Sequence, residues 1–169
     1  MVDRRSSLFG LKSAPGLVVL APATRISLRS TDASAFGFAA GAAINRAVLT
    51  GPRAALHLGP DEWLVIAPEG EAEPLLAGAA GRFASAVDVS HRSAGIEISG
   101  PHAVDALAAF VALDLAEPAF PVGMATRTLL GKAEIILWRT AADVFRIEVG
   151  RSFAPYVWHC LEEARREFV

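Results

Sequence analysis

The residues around His91 are the ones whose types and spacing could support acid–base chemistry. Asp88, Ser90 and Arg92 flank this histidine at the end of a predicted strand, where polar side chains can converge on a ligand or a partner. The Asp-x-x-His spacing defines no catalytic geometry by itself, because a general base needs a substrate proton within hydrogen-bond reach. A hydrogen-bonded structural histidine is therefore favoured over a catalytic one. We predict that Asp88, His91 and Arg92 contact a partner or a ligand.

Four arginines fall on or just after the last three predicted strands, at positions Arg127, Arg139, Arg146 and Arg151. Arg127 and Arg139 could lie across adjacent strands and bind a carboxylate, which arginine holds through two parallel N–H···O bonds. The favoured alternative is a solvated polar face, in which exposed charges contribute little to stability. Arg127 and Arg151 are kept as candidates for a partner or ligand contact.

The sequence carries no recognisable signature of phosphate, metal or nucleophile chemistry. Gly131-Lys132 lacks the preceding glycine of a phosphate-binding loop, so we predict a turn there. His159 and Cys160 are adjacent, and adjacent side chains on a helix diverge by about 100°, so they cannot bind one ion. Cys160 is predicted to be a core residue rather than a nucleophile. We therefore predict no catalytic residue and no metal site in this chain.

These candidate residues are positioned by strands and helices that the hydrophobic periodicity indicates. In the first half, strands are predicted at residues 25–29, 53–58, 62–67 and 85–90, and helices at 32–47 and 71–83. The resulting order of strand, helix, two strands, helix and strand is the ferredoxin-like, or split βαβ, pattern. His57 alternates with apolar neighbours in its strand and is predicted to be at the surface.

The second half nearly repeats this plan. Strands are predicted at residues 94–99, 124–130, 133–139 and 144–149, and helices at 101–113 and from residue 152 to the C-terminus. Pro101 marks the change from strand period to helix period, since proline suits the first helical position. His102 follows in the first turn and is predicted to be exposed. Ser152 is expected to cap the last helix, and Glu162 to pair with Arg166 four residues later.

We therefore predict an α+β protein of two mixed strand–helix–hairpin lobes. Residues 1–23 carry glycine, proline, serine and charge without a period, which indicates an N-terminal arm. Residues 24–169 then form a single domain, with lobes at about 24–92 and 93–169, which suits a chain of this length.

The composition argues against several classes of partner and location. Hydrophobic residues make up 53% of the 169 residues, yet no apolar stretch reaches membrane-spanning length. The net charge of −2 and the absence of like-charge runs argue against nucleic acid and anionic membranes. With Cys160 as its single cysteine, the chain forms no internal disulfide, and a reducing cytoplasm is expected. The apolar excess fits either a surface buried against a partner or an alanine-rich packed core.

Several blocks of sequence carry a resemblance to a known family. They are Gly59-Pro-Asp-Glu-Trp-Leu, Asp88-Val-Ser-His-Arg, Ile98-Ser-Gly-Pro-His-Ala with Leu107, Leu113-Asp-Leu, Phe120-Pro-Val-Gly, Arg127-Thr-Leu-Leu-Gly-Lys-Ala and Arg151-Ser-Phe-Ala-Pro-Tyr-Val. In this order they resemble the gamma subunit of heterotetrameric sarcosine oxidase. More distantly, the stretch from Asp88 to Phe110 resembles the folate-binding fold of the glycine-cleavage aminomethyltransferase, or T-protein.

The resemblance implies an αβγδ complex that oxidatively demethylates sarcosine to glycine, formaldehyde and hydrogen peroxide. With tetrahydrofolate present, the one-carbon unit leaves as methylenetetrahydrofolate. In such complexes FAD, FMN and NAD belong to the alpha and beta subunits and zinc to delta, so this chain is expected to hold no cofactor, and tetrahydrofolate is likewise expected in a partner subunit. The implied partners are the alpha, beta and delta subunits.

A non-catalytic gamma subunit, packed against the folate-handling part of alpha, is the resulting hypothesis. A T-protein has a glycine-rich turn followed by acidic residues that engage the amine, whereas this chain has Leu130-Gly-Lys-Ala-Glu134 with no aspartate following. The alternative is a stand-alone folate-binding protein or a folate-dependent aminomethyltransferase-like enzyme. A third hypothesis is a small oligomeric binding protein that keeps only the fold.

Overall fold

The described chain consists mainly of β-strands, with three α-helices among them. The computed structural model describes residues 7–8, 10–82 and 84–168. In chain order the elements are β1 (Leu17–Val19), β2 (Ala23–Arg29), β3 (Arg46–Thr50), β4 (Arg53–Gly59), β5 (Glu62–Pro68), α1 (Ala72–Ala79), β6 (Ser85–Asp88), β7 (Ser93–Ser99), α2 (Ala103–Ala108), β8 (Ala125–Leu130), β9 (Ala133–Ala141), β10 (Val144–Gly150) and α3 (Ala154–Arg165), with 3₁₀ turns at Ser34–Phe36 and Arg166–Phe168. The strands form two five-stranded antiparallel sheets, which confirms the predicted α+β class.

The chain divides into two compact units. The first unit takes in the described residues up to Ala21, His91–Val122 and the described residues from Arg127 onward. The second unit takes in Pro22–Ser90 and Gly123–Thr126.

The two sheets share one strand order. The sheet of the second unit runs β6-β2-β5-β4 with β3 at its edge, and the other sheet runs β1-β7-β10-β9 with β8 at its edge. The central pairs, β2 with β5 and β7 with β10, are each matched over seven residues. Counted across the sheets from β6 and from β1, the third strand of each is followed along the chain by a helix: α1 follows β5 and α3 follows β10. The order β6-β2-β5-β4 agrees with the predicted ferredoxin-like strand order, but no α-helix lies among the described residues between β2 and β3, and the strand β3 is added.

In the sheet of the first unit, the edge strand β1 comes from the N-terminal stretch, for which the sequence predicts an arm. Leu17 is 1% exposed and pairs with Ile98 of β7, so β1 occupies the place that β6 occupies in the other sheet. A turn centred on Pro15 and Gly16 leads into it, closed by two backbone hydrogen bonds of 2.9 Å between Ala14 and Leu17. A three-residue strand is too short to show a period, and its pairing depends on the edge that β7 offers.

The helix predicted at residues 32–47 does not form, and that prediction is wrong. The only helical residues there are the 3₁₀ turn Ser34–Phe36. Gly37, Gly41 and Asn45 have φ values of +80°, +85° and +64°. A right-handed helix requires negative φ, so these left-handed positions interrupt the chain at every turn of the predicted helix.

Burial in the same segment also follows a different pattern from a helix. Phe36 and Phe38 are each 4% exposed, although residues two apart in a helix lie on different faces. Both belong to the core of the second unit, with Leu28, Trp63 and Leu75. The rest of the segment leads to β3, a strand that the alanine-rich sequence did not reveal.

The helices that do form are shorter than predicted. The residue before α3 is Phe153, no side chain caps the helix, and Pro155 lies in its first turn, so the predicted Ser152 cap is wrong. Arg166 pairs with Glu163 at 2.6 Å rather than with Glu162, because the chain tightens into a 3₁₀ turn where residues three apart align. Within the described residues, no helix is long and apolar enough to cross a membrane.

His57 is 7% exposed, so its predicted surface position is wrong. Its ring stacks on Trp63 with centroids 3.8 Å apart and planes 3° apart, and its Nδ1 donates to the carbonyl of Ala42 at 2.8 Å. The strand is buried on both faces at this point, so alternation does not separate inside from outside. The His102 side chain is 53% exposed, as predicted.

Asp32 gives the second unit a predicted acid sensitivity. Hydrogen bonds from the side chain and backbone N–H of Ser34, with the positive charge of Arg82, hold the pKa of this carboxyl below its ordinary value of 3.8. Because the folded pKa is the lower one, the stabilisation is present above the unfolded pKa and is lost as the pH falls through the folded pKa. Asp32→Asn should therefore be less stable than the native chain near neutral pH by no more than about 1 kcal/mol, since solvent screens a carboxyl at the surface.

The measurement is urea unfolding of both proteins between pH 7 and pH 2. The stability difference between them should shrink once the pH drops below 3.8. A difference that widens on acidification would contradict this assignment.

Candidate functional site

Three of the five predicted contact residues come together in the first unit. The backbone N–H of Arg151 donates to the carbonyl of Arg92 at 2.9 Å, and the Arg151 guanidinium donates to the carbonyl of His91 at 3.5 Å. All three residues are exposed. The turn that enters β7 is thus joined to the turn that leaves β10, and the side chains of His91 and Arg92 lie at the surface of this corner.

Asp88 belongs to the second unit, at the end of β6. Its Oδ1 accepts hydrogen bonds from the backbone N–H of Ser90 at 2.9 Å and from the Ser90 hydroxyl. The same hydroxyl accepts from the backbone N–H of Arg25 at 2.9 Å. This chain of hydrogen bonds ends the strand and gives the Asp88 carboxylate a structural role within its unit.

The favoured prediction of a solvated polar face holds for Arg127 but is wrong for Arg139, and the two arginines do not form the alternative carboxylate-binding pair. Arg127 is exposed and lies 3.4 Å from Glu134 across the β8–β9 hairpin. Arg139 is 5% exposed, and its guanidinium donates to the carbonyls of Leu115, Phe120 and Ala142. A guanidinium has five N–H donors, and four of them are used by these carbonyls, so Arg139 cannot hold a carboxylate with both arms.

A cavity of about 310 Å³ lies in the first unit, and we call it the α2–α3 pocket. Its walls come from residues 15–16, residues 98–103, Arg165 and Phe168. The central wall is the end of β7, the Gly100 turn and the start of α2, where the sequence changes from strand period to helix period. This volume is at the small end of the range for ligand pockets, about 300–1,000 Å³.

Residues distant in sequence from this central wall, the Pro15-Gly16 turn, Arg165 and Phe168, also line the pocket. Arg165, half-buried at the end of α3, donates from a terminal guanidinium nitrogen to the carbonyl of Pro15. Phe168 stacks on the ring of His102 with centroids 4.8 Å apart and planes 6° apart. His102 Nδ1 also lies 3.2 Å from Asp105 Oδ2. The pocket thus combines one cation with flat apolar walls.

Gly16 is required for the pocket wall. Its φ is +76°, and a Cβ there would lie 2.6 Å from the carbonyl oxygen of Ser99. The Gly16 carbonyl also accepts from the Ser99 N–H at 2.9 Å, which extends the β1–β7 ladder by one residue. The close approach of the two backbones fixes the place of the Pro15 carbonyl that Arg165 binds.

The sequence did not predict this pocket, although it did predict the strand end, turn and helix start that form one wall. The Ile98-Ser-Gly-Pro-His-Ala block was singled out, whereas Arg165 and the Pro15-Gly16 turn were not. Pro-Gly is a turn signal, but nothing in the sequence indicates that this turn meets a residue 150 positions later.

The described residues show no group of three or more His, Cys, Asp or Glu that could hold a metal ion. Cys160 is half-buried on α3. The arrangement in the pocket can bind and orient a small ligand, and its titratable side chains are Arg165 and His102.

Comparison with known proteins gives a consistent assignment. The model of the "Sarcosine oxidase, gamma subunit family" matches residues 26–167. Sarcosine oxidase subunit gamma of Arthrobacter sp is 34% identical over 170 residues, covering 92% of this chain and 84% of the relative. The subunit gamma of Corynebacterium sp. (strain P-1) is 38% identical over 117 residues, and the match spans 68% of this chain but only 58% of that relative.

Solved structures and a more distant relative agree with this. A chain of heterotetrameric sarcosine oxidase from Corynebacterium sp. U-96 superposes with a TM-score of 0.87 at 27% identity, covering 98% of this chain and 96% of that chain. Aminomethyltransferase of Saccharopolyspora erythraea is 34% identical over 118 residues, 66% of this chain and 32% of the relative. Aminomethyltransferase T from Bartonella henselae shares the fold, with a TM-score of 0.67 at 16% identity over 86% of this chain and 45% of that chain.

The family match covers well over half of the chain, and it agrees with the blocks of sequence that carried the resemblance. The chain belongs to the sarcosine oxidase gamma subunit family.

Proposed function

We propose that this chain is the non-catalytic gamma subunit of a sarcosine oxidase-type complex. That complex oxidatively demethylates sarcosine to glycine and transfers the one-carbon unit to tetrahydrofolate. The observation that carries the proposal is the superposition on a chain of heterotetrameric sarcosine oxidase, which runs through 98% of this chain and 96% of that one. A match of this extent to one chain of a multi-subunit enzyme supports a place in the same kind of assembly.

The partners in this proposal are the alpha, beta and delta subunits. We assign FAD, FMN and NAD to alpha and beta, zinc to delta, and tetrahydrofolate to the folate-handling part of alpha. The cytoplasmic location expected from the single cysteine is part of the same proposal. The high apolar content supports it, because a subunit buries apolar surface against its partners.

We also propose that Asp88, His91, Arg92, Arg127 and Arg151 contact partner subunits. All five are exposed. The bonds that tie Arg151 to the carbonyls of Arg92 and His91 support a fixed corner, which costs less entropy to bury than a mobile one.

Affinity purification of the tagged chain from its own host tests the proposal. The expected result is a yellow preparation with flavin absorption bands, three further chains, and hydrogen peroxide release when sarcosine is added. An untagged strain grown in parallel is the control for flavoproteins that bind the resin. A colourless single chain that releases no peroxide would contradict the proposal.

The second candidate is a folate-binding protein or aminomethyltransferase-like enzyme that acts without partners. The 34% identity to an aminomethyltransferase over 118 residues favours it. Titration of the purified single chain with tetrahydrofolate separates the two candidates. Saturable binding by the chain alone would support the second candidate, and binding only by the assembled complex would support the first.

A further inference from the structure

We propose that the α2–α3 pocket binds a small carboxylate carried on a flat apolar group. The proposal rests on the pocket's charge, wall chemistry and size, and it is independent of the assignment as a subunit.

Arg165 provides the charge. It is half-buried, and within the described part of the chain its guanidinium makes one hydrogen bond, to the neutral carbonyl of Pro15, and no ion pair. The next residue, Arg166, is exposed and already paired with Glu163 at 2.6 Å. Arg165 therefore presents N–H donors toward the cavity that it lines, and a carboxylate matches the planar fork of a guanidinium.

The walls select a flat, apolar group. The lining includes the parallel stack of Phe168 on His102, together with Ile98 and Pro101. Aromatic and proline side chains present broad faces to which a ring binds with little loss of side-chain entropy. The ligand is therefore an acid whose hydrocarbon part is planar.

The size and net charge limit the ligand further. A volume of about 310 Å³ is at the small end of the range for ligand pockets, so it favours a small ligand and has room for a ring with its carboxylate. A single cation balances a monoanion, whereas a phosphate ester carries about −1.5 to −2 charge at neutral pH and calls for more than one. A small aromatic monocarboxylate is the ligand class that satisfies all three conditions.

Equilibrium dialysis with radiolabelled benzoate tests the proposal on the full chain, alone or in the complex with which it purifies. The quantity measured is the number of saturable benzoate sites per copy of this chain. The native chain should show one such site in this pocket, and benzamide, which has the same shape without the charge, should compete at least tenfold more weakly. If the native chain shows no saturable binding up to about 10 mM benzoate, or if benzamide competes as strongly as benzoate, the proposal is overturned.

Two adjacent arginines supply matched variants. Arg165→Gln should weaken benzoate binding at this site at least tenfold, whereas Arg166→Gln, which removes the same charge one residue later, should change it less than twofold. Arg165→Lys keeps the positive charge but loses the planar guanidinium, so its affinity for benzoate should lie between those of the two glutamine variants. This variant remains informative if Arg165→Gln does not fold. Equal effects of Arg165→Gln and Arg166→Gln would show a nonspecific charge effect and overturn the proposal.

Discussion

Replacing Arg139 with methionine should lower the free energy of unfolding by about 3–5 kcal/mol. The guanidinium donates to the carbonyls of Leu115 and Phe120 at 3.2 and 2.8 Å and to Ala142 at 2.9 and 2.5 Å. The first two carbonyls belong to the irregular segment between α2 and β8, and the third to the β9–β10 turn. One side chain therefore satisfies three backbone acceptors that secondary structure does not.

The magnitude follows from two opposing terms. Each buried carbonyl that loses its donor costs about 1–3 kcal/mol, which applies to Leu115 and Phe120, whereas Ala142 is exposed and its carbonyl can bind water instead. Methionine avoids burying a cation, which offsets part of the loss, but it also gives up the contact of the guanidinium carbon with the Phe145 ring, 5.0 Å from its centroid. Because the acceptors are backbone groups that cannot be replaced along with the arginine, the loss exceeds the gain.

Urea unfolding of the full chain measures this loss, and Arg127→Met is the matched control. Arg127 is an exposed arginine on the neighbouring strand whose partner, Glu134, is 70% exposed, so its replacement should cost less than about 1 kcal/mol. Limited proteolysis should cut Arg139→Met first between residues 109 and 124, the segment that Arg139 holds. Equal stability of the two variants would show that the three carbonyls find other partners.

Most of the strands could be predicted because their sequences alternate apolar and polar residues, although β1 and β3 were missed. In β7, Ile96 and Ile98 are buried while Glu97 between them is half-exposed, which the alternation indicates directly. The sequences of β2 and β10 alternate in the same way, so the α+β class could be inferred before the structure, even though residues 24–26 and 147–149 are all buried. His57 shows the limit of this inference, since alternation carries no information where both faces of a strand are buried.

The wrong helix at residues 32–47 has a different cause. Alanine raises helix propensity, and seven of the sixteen residues there are alanine. The native chain instead buries Phe36 and Phe38 together and turns at Gly37, so the packing of two aromatic side chains decides the backbone. Propensity is a weak term of a few tenths of a kcal/mol per residue, whereas burying a phenylalanine contributes about 1.5–3 kcal/mol.

The candidate pocket could be predicted only in the part that is local in sequence. Residues 98–103 are a strand end, a turn and a helix start, all visible from period and proline chemistry. The Pro15-Gly16 turn and Arg165 reach the pocket through long-range pairing of β1 with β7 and through the packing of α3. A single sequence holds no signal for such contacts, because their partners are chosen by the fold and not by neighbouring residues.

Gly16→Ala should lower the free energy of unfolding by about 2–4 kcal/mol and separate β1 from its sheet. Two costs add at this position. A φ of +76° costs an alanine about 1–2 kcal/mol, and the new Cβ would lie 2.6 Å from the backbone oxygen of Ser99. Relief of that clash requires β1 to move away from β7, which breaks the 2.9 Å bond between the Ser99 N–H and the Gly16 carbonyl.

Gly81→Ala isolates the second cost, because Gly81 has a φ of +75° and a Cβ added there would meet no atom within 4 Å. Both variants carry the left-handed backbone cost, so the difference between them measures the clash, which we expect to be about 1–2 kcal/mol. Hydrogen exchange at the Ser99 amide should accelerate in Gly16→Ala and stay slow in Gly81→Ala, while β9 and β10 remain protected in both. If the two variants lost equal stability and kept equal protection at Ser99, the close approach of β1 to β7 would contribute nothing, and the N-terminal stretch would behave as the arm that its sequence suggests.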